Sequence, residues 1–396
     1  MKKILFSFLS FLCFLCYSQE KEIIVLDENT KQPISQAHLF YRDLNEGSIS
    51  NEEGKANLLI KNSNLSLLHL NYNEKLILKN KITELDTIWL SQKKNLLEEV
   101  IVTNINIKKK LQYVLDNFSD LYVDYPTKKE CSFKETFLFD GNYKRLFLSQ
   151  ILWWSKSSEH PFKKNYNKFA KLKLNEISYS KNIPLNLDNK KSKDEENNSG
   201  AIISKSLINF FYLNHAINSL LLPDIGEIYS SIEESDDNSI TVSYSTDWKI
   251  NEEGASNRNN GKIIFDKKTN AIISFSKNIE FKNRVSKEIG KETGKTAITD
   301  YKNNSFDYSF AQNNEGKWSL NFFNTTINLL FNYDKMPHTI KFSNSLYVLK
   351  ESKSKRVNDD GLIDLNNPIY KSLPSQTVLN SNNILLTKKE KAFINN

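Results

Sequence analysis

Residues 22–60, EIIVLDENTKQPISQAHLFYRDLNEGSISNEEGKANLLI, constrain the fold most, because their apolar runs are too short for helices and turn chemistry interrupts them. Ile23 to Leu26 reads as a strand, and Asp27-Glu28-Asn29-Thr30 as a turn. Pro33 opens the next strand, where a missing N–H is tolerated, and Ile34, Ala37, Leu39 and Tyr41 would line one face. Asn51-Glu52-Glu53-Gly54 turns the chain into Ala56 to Ile60. Leu65 to Leu70, Lys75 to Leu78 and Thr87 to Leu90 bring the count to about seven short strands, the signature of a sandwich over residues 19–93.

Asp27, Thr30, Pro33-Ile34 and Ala37, followed by Gly47-Ser48-Ile49-Ser50-Asn51 and Gly54, resemble the carboxypeptidase-regulatory-like domain. That resemblance implies a transthyretin-like Greek-key β-sandwich of a kind frequent in exported proteins of Bacteroidota. It also implies a non-catalytic module, in which Asp27, Thr30, Pro33, Ala37, Gly47 and Gly54 have structural roles. Two departures stand out: no glycine opens the first strand, and Asn51 replaces a common aspartate.

The first 18 residues, MKKILFSFLSFLCFLCYS, pair two lysines with an apolar run and end on the small Ser18, the pattern of a secretory leader. Cys13 and Cys16 raise the alternative of lipid attachment, but Leu precedes each, where such signals want a small residue. Cleavage after Ser18 leaves Cys131 alone, so the mature fold relies on packing without an internal disulfide. Residues 19–93 hold nine basic and eleven acidic side chains, a net of −2, whereas the rest of the mature chain carries +7. A basic body suits an anionic membrane surface or glycan, or simple solvation. No nucleic-acid recognition motif is present, and nucleic acid is not expected as a partner.

Beyond the sandwich, residues 94–125 form an exit strand and a helix. Leu97 to Asn104, LEEVIVTN, resembles the segment that follows the same sandwich in TonB-dependent receptors, here without a plug or large barrel behind it. Asn106 can cap a helix to about Leu121, with Ile107, Leu111, Val114, Leu115, Phe118 and Leu121 on one face. Cys131 to Phe139 alternates, and with Tyr143 to Trp154 makes a hairpin around Asp140-Gly141-Asn142. This opening is similar to that of uncharacterised envelope proteins of Bacteroidota. Residues 182–200 read as a mobile polar loop, and Ser204 to Leu222 as a second helix stopped by Pro223. From Ser239 strands dominate, including a hairpin of Gly261–Asp266 with Ala271–Phe275. The expected fold is mainly β: the sandwich, then an α+β body over 126–396 with a large curved antiparallel sheet and two helices. The architecture resembles the half-barrel of periplasmic lipoprotein carriers.

Catalytic motifs are lacking. The histidines at 38, 69, 160, 215 and 338 have no paired ligand spacing, and no G-x-S-x-G elbow occurs. Gly290 to Thr296 only partly matches a phosphate loop. Arg356 to Asp364 resembles a calcium loop without its terminal carboxylates. Hence neither a cofactor nor a metal is expected. Trp153 and Trp154 point to opposite sides of a strand, so one is expected in the core and the other beside Lys156, Lys163, Lys164, Lys168, Lys171 and Lys173. Together with Phe210, Phe211 and Leu221, the tryptophans form a candidate ligand, partner or peripheral membrane surface. The leading functional expectation is a non-catalytic envelope protein of the periplasm, the periplasmic face of the outer membrane or the cell surface. Its sandwich would dock to an envelope protein, while the body binds a partner or hydrophobic ligand. The alternatives are a lipid carrier, and a glycan or peptide hydrolase with convergent side chains. Intact-mass analysis of the secreted protein should show a chain beginning at Gln19; retention of residues 1–18 would overturn the leader reading.

Overall fold

The computed structural model describes residues 20–44, 46–69, 71–92, 105–162, 168–185, 187, 201–235, 238–289, 294–373, 376–378 and 385–395. The leader at 1–18, the exit segment at 97–104, most of the polar loop at 182–200, Lys163, Lys164 and residues 290–293 lie outside them. The chain is mainly β and divides into two compact units, one of Met1–Lys93 with Asn383–Thr387, the other of Lys94–Asn382 with Lys388–Asn396.

The first unit contains β1 (Glu20–Asp27), β2 (His38–Tyr41), β3 (Glu46–Ile49), β4 (Lys55–Leu59), β5 (Leu65–His69), β6 (Tyr72–Ile77) and β7 (Thr87–Leu90). In one sheet β1 lies between β4, antiparallel, and β7, parallel. In the other the antiparallel order is β3-β2-β5-β6. Ile23, Val25, Ala56, Leu58, Ile88 and Leu90 from the first sheet share a core with Ala37, Leu39, Tyr41, Leu65, Leu67 and Ile77. Two sheets enclosing one apolar layer make a sandwich. Strand β2 is buried along its whole length, His38 and Phe40 included, not on one face only.

Asp27 organises this unit. Its Oδ1 accepts hydrogen bonds from the amides of Asn29 and Thr30, both at 2.8 Å. Its Oδ2 accepts from the Tyr72 hydroxyl at 2.7 Å and from Gln92 Nε2 at 2.6 Å, tying the first turn to the last strands. These donors, led by the Thr30 amide, hold the carboxyl far below its ordinary range. Ser50 Oγ accepts from the Ala37 amide at 2.9 Å and donates to the Ile34 carbonyl at 2.6 Å. Asn51 Oδ1 accepts from the Glu53 and Lys55 amides, so an amide suffices where aspartate is common. Its Nδ2 donates to the Leu385 carbonyl at 3.1 Å, which draws a segment near the C-terminus into this unit. Gly54 has φ +74°, and a Cβ there would lie 2.6 Å from the Val25 carbonyl oxygen.

In the second unit β8 (Thr127–Phe139), β9 (Asn142–Ser155), β10 (Ala170–Asn182), β11 (Ile228–Ser235), β12 (Ser239–Thr246) and β13 (Lys249–Ile250) come first. They are followed by β14 (Ser256–Asp266), β15 (Ile272–Lys282), β16 (Val285–Ile289), β17 (Thr296–Gln312), β18 (Trp318–Tyr333), β19 (Met336–Lys353) and β20 (Gln376–Val378). Antiparallel pairing runs in the order β11-β12-β14-β15-β17-β18-β19-β8-β9-β10-β20, with β13 beside β14 and β16 beside β17. The β8–β9 hairpin turns through Asp140 (φ 48°) and Gly141 (φ 74°), two consecutive left-handed residues as a tight primed turn requires.

Helices α1 (Ile107–Asp116), α2 (Phe118–Leu121), α3 (Ser204–Phe210) and α4 (Leu213–Leu221) supply Leu111, Val114, Phe118, Leu207, Ile217 and Leu220 to the sheet's main core. Asn106 caps α1 through the Lys109 amide at 3.0 Å. Each of the two expected helices is a pair. The second breaks at Phe211 and Tyr212 because a continuous helix would turn these neighbours ~100° apart. The break lets both bury against Trp153, with ring centroids at 5.2 and 5.7 Å. A further helix, α5 (Lys388–Asn395), was not anticipated; Glu390 on it pairs with Lys134, and Lys181 donates to the Phe393 carbonyl at 2.8 Å.

Gly54→Ala should cost ~1–3 kcal/mol of stability by denaturant unfolding, from backbone strain and the close carbonyl. Asp27 stabilises the fold fully above its ordinary pKa of 3.8, and that contribution disappears as pH falls through the depressed folded value. Amides of β1 and β7 should therefore exchange faster in Asp27→Asn than in wild type at pH 7. The difference should close in strong acid.

Candidate functional site

The candidate site follows from the register of the sheet. Residues directly opposite one another on antiparallel strands share a face, so each side-chain row can be read across the pairings. One row on the helix-covered face is Val242, Ile263, Phe275, Tyr308, Phe323, Leu346 and Phe133, all buried. Two residues further along, the row reads Tyr244, Gly261, Lys277, Phe306, Thr325, Asn344, Glu135, Phe147 and Ser180. Beyond it, Ile327, Phe342 and Phe137 belong to a second apolar cluster. A polar row therefore lies between two greasy ones, and Lys277, Thr325, Asn344 and Glu135 in it are at most 7% exposed.

Each polar group has a different solution to burial. Glu135 Oε1 accepts from Arg145 Nε at 2.6 Å, and both side chains are buried. Burial pushes the Glu135 carboxyl up, and the guanidinium opposes that shift. Arg145 also stacks on Tyr370, its guanidinium carbon 4.2 Å from the ring centroid. Thr325 Oγ1 and Asn344 Oδ1 have no hydrogen-bond partner among the described residues. Lys277 Nζ donates to Ser219 Oγ on α4 at 2.5 Å, and burial lowers its amine to about 8.

At the β9–β10 end the row opens into a cleft of about 210 Å³ lined by Arg145, Phe147, Ser180, Lys181, Asn182, Tyr370, Lys371 and Leu373. Arg145 and Lys371 contribute cations to this lining, whereas the Lys181 ammonium is turned to the Phe393 carbonyl.

The residues proposed from sequence are placed differently. Trp153 and Trp154 are both buried, at 2% and 7% exposure, which corrects the expectation that one is presented to solvent. Trp153 lies under α3 and α4, while Trp154 faces the other side and donates to the Ser354 carbonyl at 2.8 Å. Phe211 is a core residue against Phe323. Phe210 and Leu221 are partly buried on the same core, Phe210 edge-on to Phe306 at 5.1 Å. Trp153 and Phe211 thus fill the helix–sheet layer and do not form a surface. Asp27, Thr30, Pro33, Ala37, Gly47 and Gly54 lie in the sandwich unit, where Asp27 accepts from Thr30. Cys131 is buried, and desolvation raises its thiol. The calcium-like segment closes on itself: Asp364 accepts from the Asn366 amide and from Asn367 Nδ2.

Sequence reasoning missed Arg145, Lys277 and Ser219. The signal was a charged residue at an inward position of an otherwise alternating strand, as with Glu135 between Phe133 and Phe137. The chain matches no family model, no curated protein and no solved structure.

Arg145→Ala should destabilise the body by ~3–5 kcal/mol, because it strands a buried carboxylate. Thr325→Val should stabilise it by ~1 kcal/mol by removing an unpartnered hydroxyl at near-constant shape. Denaturant midpoints check both.

Proposed function

We propose that this is an exported protein of the cell envelope, whose sandwich docks to an envelope component and whose body holds an acidic group of a partner. The leader MKKILFSFLSFLCFLCYS supports export. The parallel β1–β7 pairing and the Asp27 turn network support kinship of the first unit with the carboxypeptidase-regulatory-like sandwich.

The observation behind the binding reading is the cleft at Arg145. A guanidinium braced by Glu135 and Tyr370 is a rigid donor, and the exposed Lys371 adds a second cation beside it. Its volume of about 210 Å³ suits a carboxylate- or phosphate-bearing end group; sites for whole drug-sized ligands run to roughly 300–1,000 Å³. That size favours recognition of a terminal group over carriage of an entire lipid. The packed layer around Phe211 and Trp153 also favours recognition, because the carrier reading needs an apolar hollow at that place.

Isothermal titration of the mature protein with glycerol 3-phosphate and with a dipeptide carboxylate should give saturable, salt-sensitive binding of at least one probe. Lys371 is exposed, so Lys371→Glu should leave the fold intact and weaken that binding about tenfold, the scale of one charge-assisted hydrogen bond. Lack of saturable binding by either probe, or equal affinity in the variant, would overturn the assignment of the cleft.

A further inference from the structure

At the other end of the polar row, where α4 meets β15, the geometry points to a second site: Ser219 and Lys277 form a serine–lysine dyad that takes the acyl group of an ester with an apolar acyl part. This goes beyond the binding role of the Arg145 cleft and depends on different residues.

Lys277 projects from the middle of β15 and is only 7% exposed. Its Nζ reaches Ser219 Oγ at 2.5 Å, and the same hydroxyl donates to the Ala216 carbonyl at 2.6 Å. Among the described residues Lys277 has no carboxylate in ion-pair contact, unlike the buried Lys129, which has Glu351 at 3.3 Å. A buried ammonium held by one hydroxyl is expensive to keep charged, so the neutral amine is close at hand near neutral pH. The groups around it leave it uncompensated: Gly261 on β14 and Phe306 on β17 are its cross-strand neighbours, and neither has charge. From α4 the titratable neighbour is His215, one helical turn before Ser219 and on the same face. Burial, with the charges of His160 and Lys277, depresses His215 to about 4, so it stays neutral when Lys277 titrates near 8.

Ser219 is half-buried, whereas Lys277 beneath it is almost fully enclosed. Around His215, one turn before Ser219, stands an aromatic wall. Phe162, exposed, stacks on His215 with centroids 6.1 Å apart; Phe210 lies edge-on to His215 at 6.3 Å and to Phe306 at 5.1 Å. This wall is the reason to name an apolar acyl group. In the transfer, Ser219 Oγ attacks the ester carbonyl carbon while neutral Lys277 takes the hydroxyl proton. The new Oγ–C bond forms, the C–O bond to the alcohol breaks, and Lys277 returns the proton to the departing alkoxide. Water then cleaves the Ser219 ester to acid, which balances the cycle as hydrolysis.

The test uses the full-length mature protein, an alkyl fluorophosphonate and p-nitrophenyl butyrate. Intact mass and peptide mapping should place one phosphonyl group on Ser219, with loss of fluoride, and none there in Ser219→Ala. The labelling rate should rise with pH through about 8, as Lys277 becomes neutral. Lys277→Arg keeps the charge but cannot act as base, so labelling and butyrate hydrolysis should fall about a hundredfold. If Lys277→Arg fails to fold by circular dichroism, Ser219→Ala and the wild-type pH profile decide the matter. An unlabelled wild type, equal butyrate turnover in Ser219→Ala, or labelling flat from pH 6 to 10 would overturn the dyad.

Discussion

Strand register in the body is the constraint on which both candidate sites depend. A slip of one residue between neighbouring strands would turn every inward side chain outward. The register is held by what it buries: Phe275, Tyr308, Phe323, Leu346 and Phe133 form one uninterrupted apolar row beneath the helices. Each fully buried side chain of this size is worth roughly 1.5–3 kcal/mol. The polar row is carried into the interior because it is locked in step with that apolar one. Helices α3 and α4 then fix how the two ends differ, α4 setting Ser219 over Lys277 while Arg145 remains beside a cleft.

The two ends meet the cost of burial by opposite means. Glu135 and Arg145 face each other at 2.6 Å, so each group has its partner and the guanidinium is held still. Among the described residues Lys277 has only a hydroxyl for a partner, and desolvation makes its neutral form accessible. The same physical penalty thus yields a fixed cation for recognition in one place and a proton acceptor in another. Between them, Thr325 and Asn344 keep polar atoms buried without a protein partner among the described residues, an expense that packing alone does not require.

The sandwich relies on a different device. Its organising charge, Asp27, is satisfied by two backbone amides and by side chains from β6 and the segment after β7, so one carboxylate joins the beginning and end of the unit. Local turn chemistry and long-range closure are the same interaction, which is why the motif could be read from residues 27–54.

How much was legible beforehand follows from the range of the forces involved. Short apolar runs between turn residues determined the sandwich; Asp140-Gly141 determined the β8–β9 hairpin, and Asn106 the start of α1. These are local effects of backbone sterics, capping and periodicity. The break between α3 and α4 was not legible, because a distant Trp153 forces Phe211 and Tyr212 both inward. Nor was the burial of Trp154, which depends on the Ser354 carbonyl 200 residues away. The sites belong wholly to this second class. Ser219 and Lys277 are 58 positions apart, and Lys181 and Tyr370 further still, so only sheet register and helix packing bring them together. The sequence by itself determined strands, turns and a basic body; the tertiary structure decided which charges went inside, since burial and partners exist only once distant strands have paired.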